Sequence, residues 1–112
     1  MLDFNQIPTY VHRRVDFDRI NDAAMAVLPT LLMRWLPGGK VEGCEYVSRN
    51  PRRADQHFGS FKVNLRTGRW SDFATNDRGG DPVSLAAYLA DISQVEAAKA
   101  VATMLGVEAY DA

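Results

Sequence analysis

Gly59-Ser60-Phe61-Lys62-Val63-Asn64-Leu65-Arg66-Thr67-Gly68-Arg69-Trp70-Ser71-Asp72-Phe73-Ala74 is the stretch that decides the fold. Phe61, Val63 and Leu65 alternate with Ser60, Lys62, Asn64 and Arg66, a period of two that buries one row of a strand and exposes the other. Arg66-Thr67-Gly68-Arg69 supplies a tight connection, with its glycine where a positive φ is wanted. Trp70 to Ala74 makes a second short strand, so the pair reads as a β-hairpin. Thr75 to Gly80 reads as a polar loop, and Asp81-Pro82 opens a helix. The exposed row of the hairpin is cationic and aromatic, chemistry that suits a phosphate backbone and a base.

Working outward, the 112 residues are enough for one domain with a modest core. A hydrophobic content of 46% and a charged content of 24% place the chain among ordinary globular proteins. No long uncharged apolar run suggests a membrane span, and no basic-then-apolar leader suggests secretion. The single cysteine, Cys44, fits a reducing compartment, so a cytoplasmic location is expected. The net charge of −1 hides a segregation. Between Arg34 and Arg78 nine basic residues stand against five acidic ones, a net +4, and the rest of the chain carries −5. Such a basic centre suggests a local anion-binding face.

Met1 to Val15 shows no period and reads as a lead-in. From Asp16 or Asp18, either of which would cap a helix, Ile20, Ala24, Val27, Leu28, Leu31 and Trp35 recur at spacings of three and four. Pro29 predicts a kink, or two helices meeting near Leu28. Cys44 to Arg49 is a further candidate strand, followed by a turn at Asn50-Pro51-Arg52-Arg53 and a polar loop, Ala54 to Phe58. Two helices close the chain. Asp81 caps the first, with Pro82 at its first position; Ser93-Gln94-Val95-Glu96 is a capping box for the second, which Gly106 ends. Glu108 to Ala112 reads as a tail. The expected architecture is α+β: a lead-in over 1–16, then one domain over 17–112, helical over 17–36, a small antiparallel sheet of about three strands over 40–76, and two packed helices within 81–106.

Leu31 to Val107 resembles the N-terminal zinc-ribbon domain of bacterial-type DNA primases, in the diverged form that heads primases and primase–helicases of phages, plasmids and integrated elements. The residues that carry the resemblance are Trp35-Leu36-Pro37-Gly38-Gly39-Lys40, Glu45-Tyr46-Val47, Asn50-Pro51 with Arg53-Ala54-Asp55, and Gly59-Ser60-Phe61-Lys62-Val63. Arg69-Trp70-Ser71-Asp72-Phe73, Gly79-Gly80-Asp81 and the Glu96 to Gly106 helix continue it. In that family a Cys-Pro-Phe-His turn and a Cys-x-x-Cys knuckle hold zinc. Here Asn50-Pro51-Arg52-Arg53 stands in the place of the first pair, and Ser71 to Ala74 in that of the knuckle. A structural zinc needs four ligands, mostly thiolate or imidazole, and Cys44, His12 and His57 share no ligand spacing. No metal and no other cofactor is expected. Hairpin packing, with Trp70 and Phe73 against Phe61 and the closing helices, should supply the stability instead.

The resemblance implies a non-catalytic module that grips single-stranded DNA template, next to a primase polymerase or helicase domain. The sequence shows no P-loop, acidic metal cluster or nucleophile–base pair. Single-strand binders combine a cationic groove with stacking aromatics. Lys62, Arg66 and Arg69 are the candidates for phosphates, Trp70 or Tyr46 for stacking, and Arg52, Arg53 and Arg78 for the rims. Lys62 and Arg66, four residues apart on one side of a strand, would be separated by about 13 Å. Trp70 as a core residue is the competing reading, and Asp72 is expected to position an arginine. The rival function is a protein-interaction module that keeps the fold and binds a replication or host protein.

Overall fold

In the computed structural model, which describes residues 13–53 and 59–111, the helical half begins at Asp16. Its carboxylate accepts a hydrogen bond from the Arg19 N–H at 3.0 Å and satisfies one of the first-turn donors. Helix α1 spans Phe17–Ala26 and stops at Val27, whose φ of −128° and ψ of 24° are not helical. Helix α2 runs over Leu28–Trp35 with Pro29 in its first turn, where a missing N–H costs nothing. The break anticipated at Leu28 is therefore a junction of two helices, and Pro29 starts the second.

Among the described residues the chain then builds five strands: β1 Lys40–Glu42, β2 Glu45–Ser48, β3 Phe61–Asn64, β4 Trp70–Asp72 and β5 Asp77–Gly79. They form one sheet in the order β1-β2-β3-β4-β5, every neighbouring pair antiparallel. The central hairpin has the register Phe61↔Asp72, Lys62↔Ser71, Val63↔Trp70, and Gly68 in its turn has φ +78°. Two edge strands exceed the expected three. β5 occupies part of the stretch read as loop, and it is too short and polar to show an alternation. It pairs because Asn76, at φ 66°, closes a tight turn in which its N–H donates to Asp72 O at 2.7 Å; asparagine tolerates this left-handed backbone better than most residues. Gly79 lies opposite Trp70, and a Cβ there would sit 2.5 Å from both the Trp70 Nε1 and the Ser84 Oγ.

Helix α3, Pro82–Ala90, is capped by Asp81, whose side chain accepts from the Ser84 N–H. Helix α4, Gln94–Leu105, is capped by Ser93 and ends at Gly106. The α+β class is as expected: helices precede and follow an antiparallel sheet. One core cluster joins Ile20 and Ala24 of α1 to Val83 and Ala87 of α3 and to Ala98 and Val101 of α4. The second seats Phe61, Val63 and Trp70 against Leu28, Leu32 and Leu85. Phe61 and Trp70 stack with centroids 5.8 Å apart, and each fully buried side chain of this size contributes about 1.5–3 kcal/mol. The C-terminal stretch is no loose tail. Val15 bridges Tyr110, Asp16 N donates to Ala109 O, and Asp111 N donates to Arg14 O, both at 2.8 Å. The remainder of the lead-in, residues 1–12, lies outside the described residues, as does the Ala54 to Phe58 loop. No helix among the described residues is long and apolar enough to cross a membrane.

Candidate nucleic-acid interface

Strand alternation gives the sheet two unlike faces. Phe61, Val63 and Trp70 face the helices. Lys62, paired across β3–β4 with Ser71, which is paired in turn with Arg78 across β4–β5, forms a row on the other face. Lys62, Arg69 and Arg78 line one shallow groove of about 590 Å³, floored by Asn64 and Ser71 and bordered by Glu45. Lys62 Nζ lies 3.9 Å from Glu45 Oε1, a half-buried pair at a distance that contributes little to stability. Arg69 and Arg78 are exposed and form no ion pair among the described residues. The groove is thus a small polar surface with three cations and one anion.

Other candidates lie elsewhere. Arg66 is exposed but belongs to the turn, because β3 ends at Asn64. The Asn64 Oδ1 accepts from the N–H groups of Arg66 (2.8 Å) and Thr67 (3.1 Å), an Asx-type turn that removes the extended spacing expected between Lys62 and Arg66. Tyr46 and Trp70 are corrected from stacking platforms to core residues. Tyr46 is 3% exposed and donates its hydroxyl to Leu36 O at 2.8 Å. Trp70 is 5% exposed, with its Nε1 donating to Ser84 Oγ at 2.9 Å. Arg52 packs over the Tyr88 ring at 4.8 Å and pairs with Asp91 at 3.4 Å. Arg53 places its Nε 3.0 Å from Asp72 Oδ2 and donates from Nη2 to Ser60 Oγ at 3.1 Å.

The aromatic group that does face solvent is Phe73, 70% exposed, with Lys62 Nζ 5.6 Å from its ring centroid. It was expected in the core beside Trp70. The alternation itself forbids that: residues three apart on a strand point to opposite faces, so burying Trp70 turns Phe73 outward with Ser71. That parity was the signal in the sequence that would have found it.

Behind the open face lies a buried polar clasp. Asp72 is fully buried and accepts hydrogen bonds from Asn50 Nδ2 at 2.8 Å and from the Ala74 N–H at 2.8 Å, besides its pairing with Arg53. Burial pushes the Asp72 carboxyl up, but the hydrogen bonds from Asn50 and Ala74, the Arg53 guanidinium and Ser60 together outweigh it and hold the carboxyl below its ordinary value. Asn50, itself buried, also donates to the Tyr88 hydroxyl at 2.7 Å, which donates onward to Asp77 Oδ2 at 2.8 Å. Burial raises the Tyr88 phenol and Asp77 adds to the rise, against the Asn50 hydrogen bond, so it stays protonated at neutral pH. The clasp ties the Asn50–Arg53 turn to β4, the two segments that the primase resemblance equates with the zinc-bearing ones. An amide nitrogen and a guanidinium are not zinc ligands, and the Asp72 carboxylate is committed to them. These residues do not fit a zinc site. Among the described residues no group of three or more His, Cys, Asp or Glu side chains converges on a point; His12 and His57 lie outside them.

No protein-family model matches the chain, and no curated protein matches it in sequence. Its fold is that of part of a solved protein: the crystal structure of the Aquifex aeolicus primase, comprising zinc-binding and RNA polymerase domains, superposes with a TM-score of 0.67 over 85% of this chain at 21% sequence identity. The match spans 22% of the length of that primase chain.

Proposed function

We propose that this chain is a primase-related module that holds single-stranded DNA template on the open face of its sheet and makes no phosphodiester bond itself. The observation that carries the reading is the convergence of Lys62, Arg69 and Arg78 on one groove with the exposed Phe73 ring beside Lys62, the combination of cations and an aromatic that single-strand binders use. The fold likeness to the primase supports the replication setting, with a primase polymerase or helicase domain of a phage, plasmid or integrated element as the neighbouring part. Asp72, the buried carboxylate among the described residues, is engaged by Arg53, Asn50 and Ala74 and is not available as a base or metal ligand. Titration of a fluorescent single-stranded oligonucleotide at several salt concentrations tests the reading. Each phosphate neutralised contributes a slope near −0.7 in log affinity against log salt, so three cations give a slope of about −2. Absence of salt-sensitive binding would remove it.

A second reading has one observation in its favour. Trp35, Leu89, Ile92, Val101 and Met104 line an apolar groove of about 270 Å³ between helices, with Ile92 37% and Met104 44% exposed. A protein-docking role predicts loss of partner binding from polar substitutions there, with no change in DNA affinity.

A further inference from the structure

We infer that Phe73 is the platform on which a base of the bound strand stacks. This rests on the single-strand reading and adds to it the residue that grips the base. An aromatic side chain 70% exposed forgoes the burial that stabilises every other aromatic of the sheet, and its ring face is left available to a base. The backbone holds it there firmly. The Phe73 N–H donates to Ser60 O at 3.0 Å, the preceding Asp72 is locked in the clasp, and Asn76 N closes the turn onto Asp72 O at 2.7 Å. A backbone fixed in this way leaves only the side-chain torsions to be ordered when a base meets the ring, which favours binding. Lys62 Nζ lies over one face of the ring, 5.6 Å from its centroid, so a nucleotide whose base lies on the other face brings its phosphate within reach of the ammonium. Glu45, 3.9 Å from that ammonium, is displaced as the phosphate arrives. Because every base has a π-face, stacking of this kind tolerates any sequence.

The test compares Phe73→Ala, Phe73→Leu and Phe73→Trp with the parent, on an intact single-stranded oligonucleotide and on one of equal charge with abasic positions. Phe73→Ala and Phe73→Leu are expected to weaken binding to the intact strand at least about fivefold, the lower end of what one stacked base contributes, without changing the salt slope. Phe73→Trp should retain the affinity, and its indole emission should be quenched on binding. The abasic strand should bind the parent more weakly by a similar factor and should no longer distinguish it from Phe73→Ala. If the parent binds with its salt dependence intact and Phe73→Leu binds equally well, the stacking role is wrong and the cationic groove stands. If the parent itself does not bind, both readings fall together.

Discussion

Asp72→Ala tests what holds the Asn50–Arg53 turn to the sheet. The substitution removes a fully buried carboxylate that pairs with the Arg53 guanidinium, whose side chain is 20% exposed. It also leaves the Asn50 amide and the Ala74 N–H short of an acceptor. Breaking a buried pair by deleting one partner costs about 3–5 kcal/mol. The partial exposure of Arg53 lets water reach it and places the expected loss near the lower end, about 3 kcal/mol. For a chain of this size that is a fall in Tm of roughly 10–15 °C. Urea denaturation at neutral pH measures it directly, as a shift in midpoint at constant m-value. A loss below about 1 kcal/mol, the size of an ordinary surface change, would show that the clasp contributes geometry without stability.

The pH dependence checks the same reasoning independently. Asp72 is held below its ordinary value of 3.8 in the folded state, so the unfolded chain binds the proton more readily. Its contribution is then fully present above the unfolded value and is lost as pH falls through the folded one. Asp72→Asn, which cannot titrate, should therefore differ most from the parent above about pH 5 and progressively less as the pH drops below the ordinary carboxylate range. A difference that is constant from pH 7 to pH 3 would refute the assignment of the charge.

Three further outcomes follow from the site. Replacing Lys62 and Arg69 together by alanine should flatten the salt slope of single-strand binding by about 1.4 units, with little change in stability because Arg69 is exposed and the half-buried Lys62 makes only a long ion pair with Glu45; an unchanged slope in the folded double variant would move the binding face elsewhere. Glu45→Gln removes the anion that competes for Lys62, so affinity should rise about two- to fivefold, as expected for a partly exposed charge pair, and a fall in affinity would contradict the phosphate role of Lys62. EDTA should leave the unfolding midpoint unchanged, since the clasp offers zinc no fitting ligand set; metal analysis returning stoichiometric zinc, with unfolding by chelator, would overturn this.

Much of the fold was legible because its elements carry strong local codes. Period-two alternation marks β3, capping residues mark α3 and α4, and Pro29 marks the α1–α2 junction. The edge strands were not legible. Lys40–Glu42 and Asp77–Gly79 are three residues long, bury no apolar row, and exist because a neighbour supplies the hydrogen bonds. The site was legible in part. Lys62 and Arg69, expected on one cationic track, line a groove with Arg78, expected at a rim, whereas the roles of Arg52 and Arg53 depend on Tyr88, Asp91 and Asp72, contacts that no local spacing encodes. Asn64 likewise ended β3 through its own side chain, so counting extended residues onward to Arg66 overran the strand.

The basic centre of the chain therefore divides into two kinds of charge. Arg53 is spent inside the clasp, and Arg52 is held by Tyr88 and Asp91. Lys62, Arg69 and Arg78 remain around the groove. A surplus of +4 read from composition overstates the field that a phosphate meets on the open face, where Glu45 also subtracts one charge. The salt slope counts these charges from outside. Near −2 it matches the three groove cations; near −3.5 it would require five phosphates, and hence two cations from beyond the groove, such as the exposed Arg66 of the turn. Recruiting Arg53 would strip Asp72 of a counter-charge and weaken the fold, so extra contacts would come from cations outside the clasp. A stable complex therefore needs the residues that hold the sheet and the residues that hold the strand to be different ones.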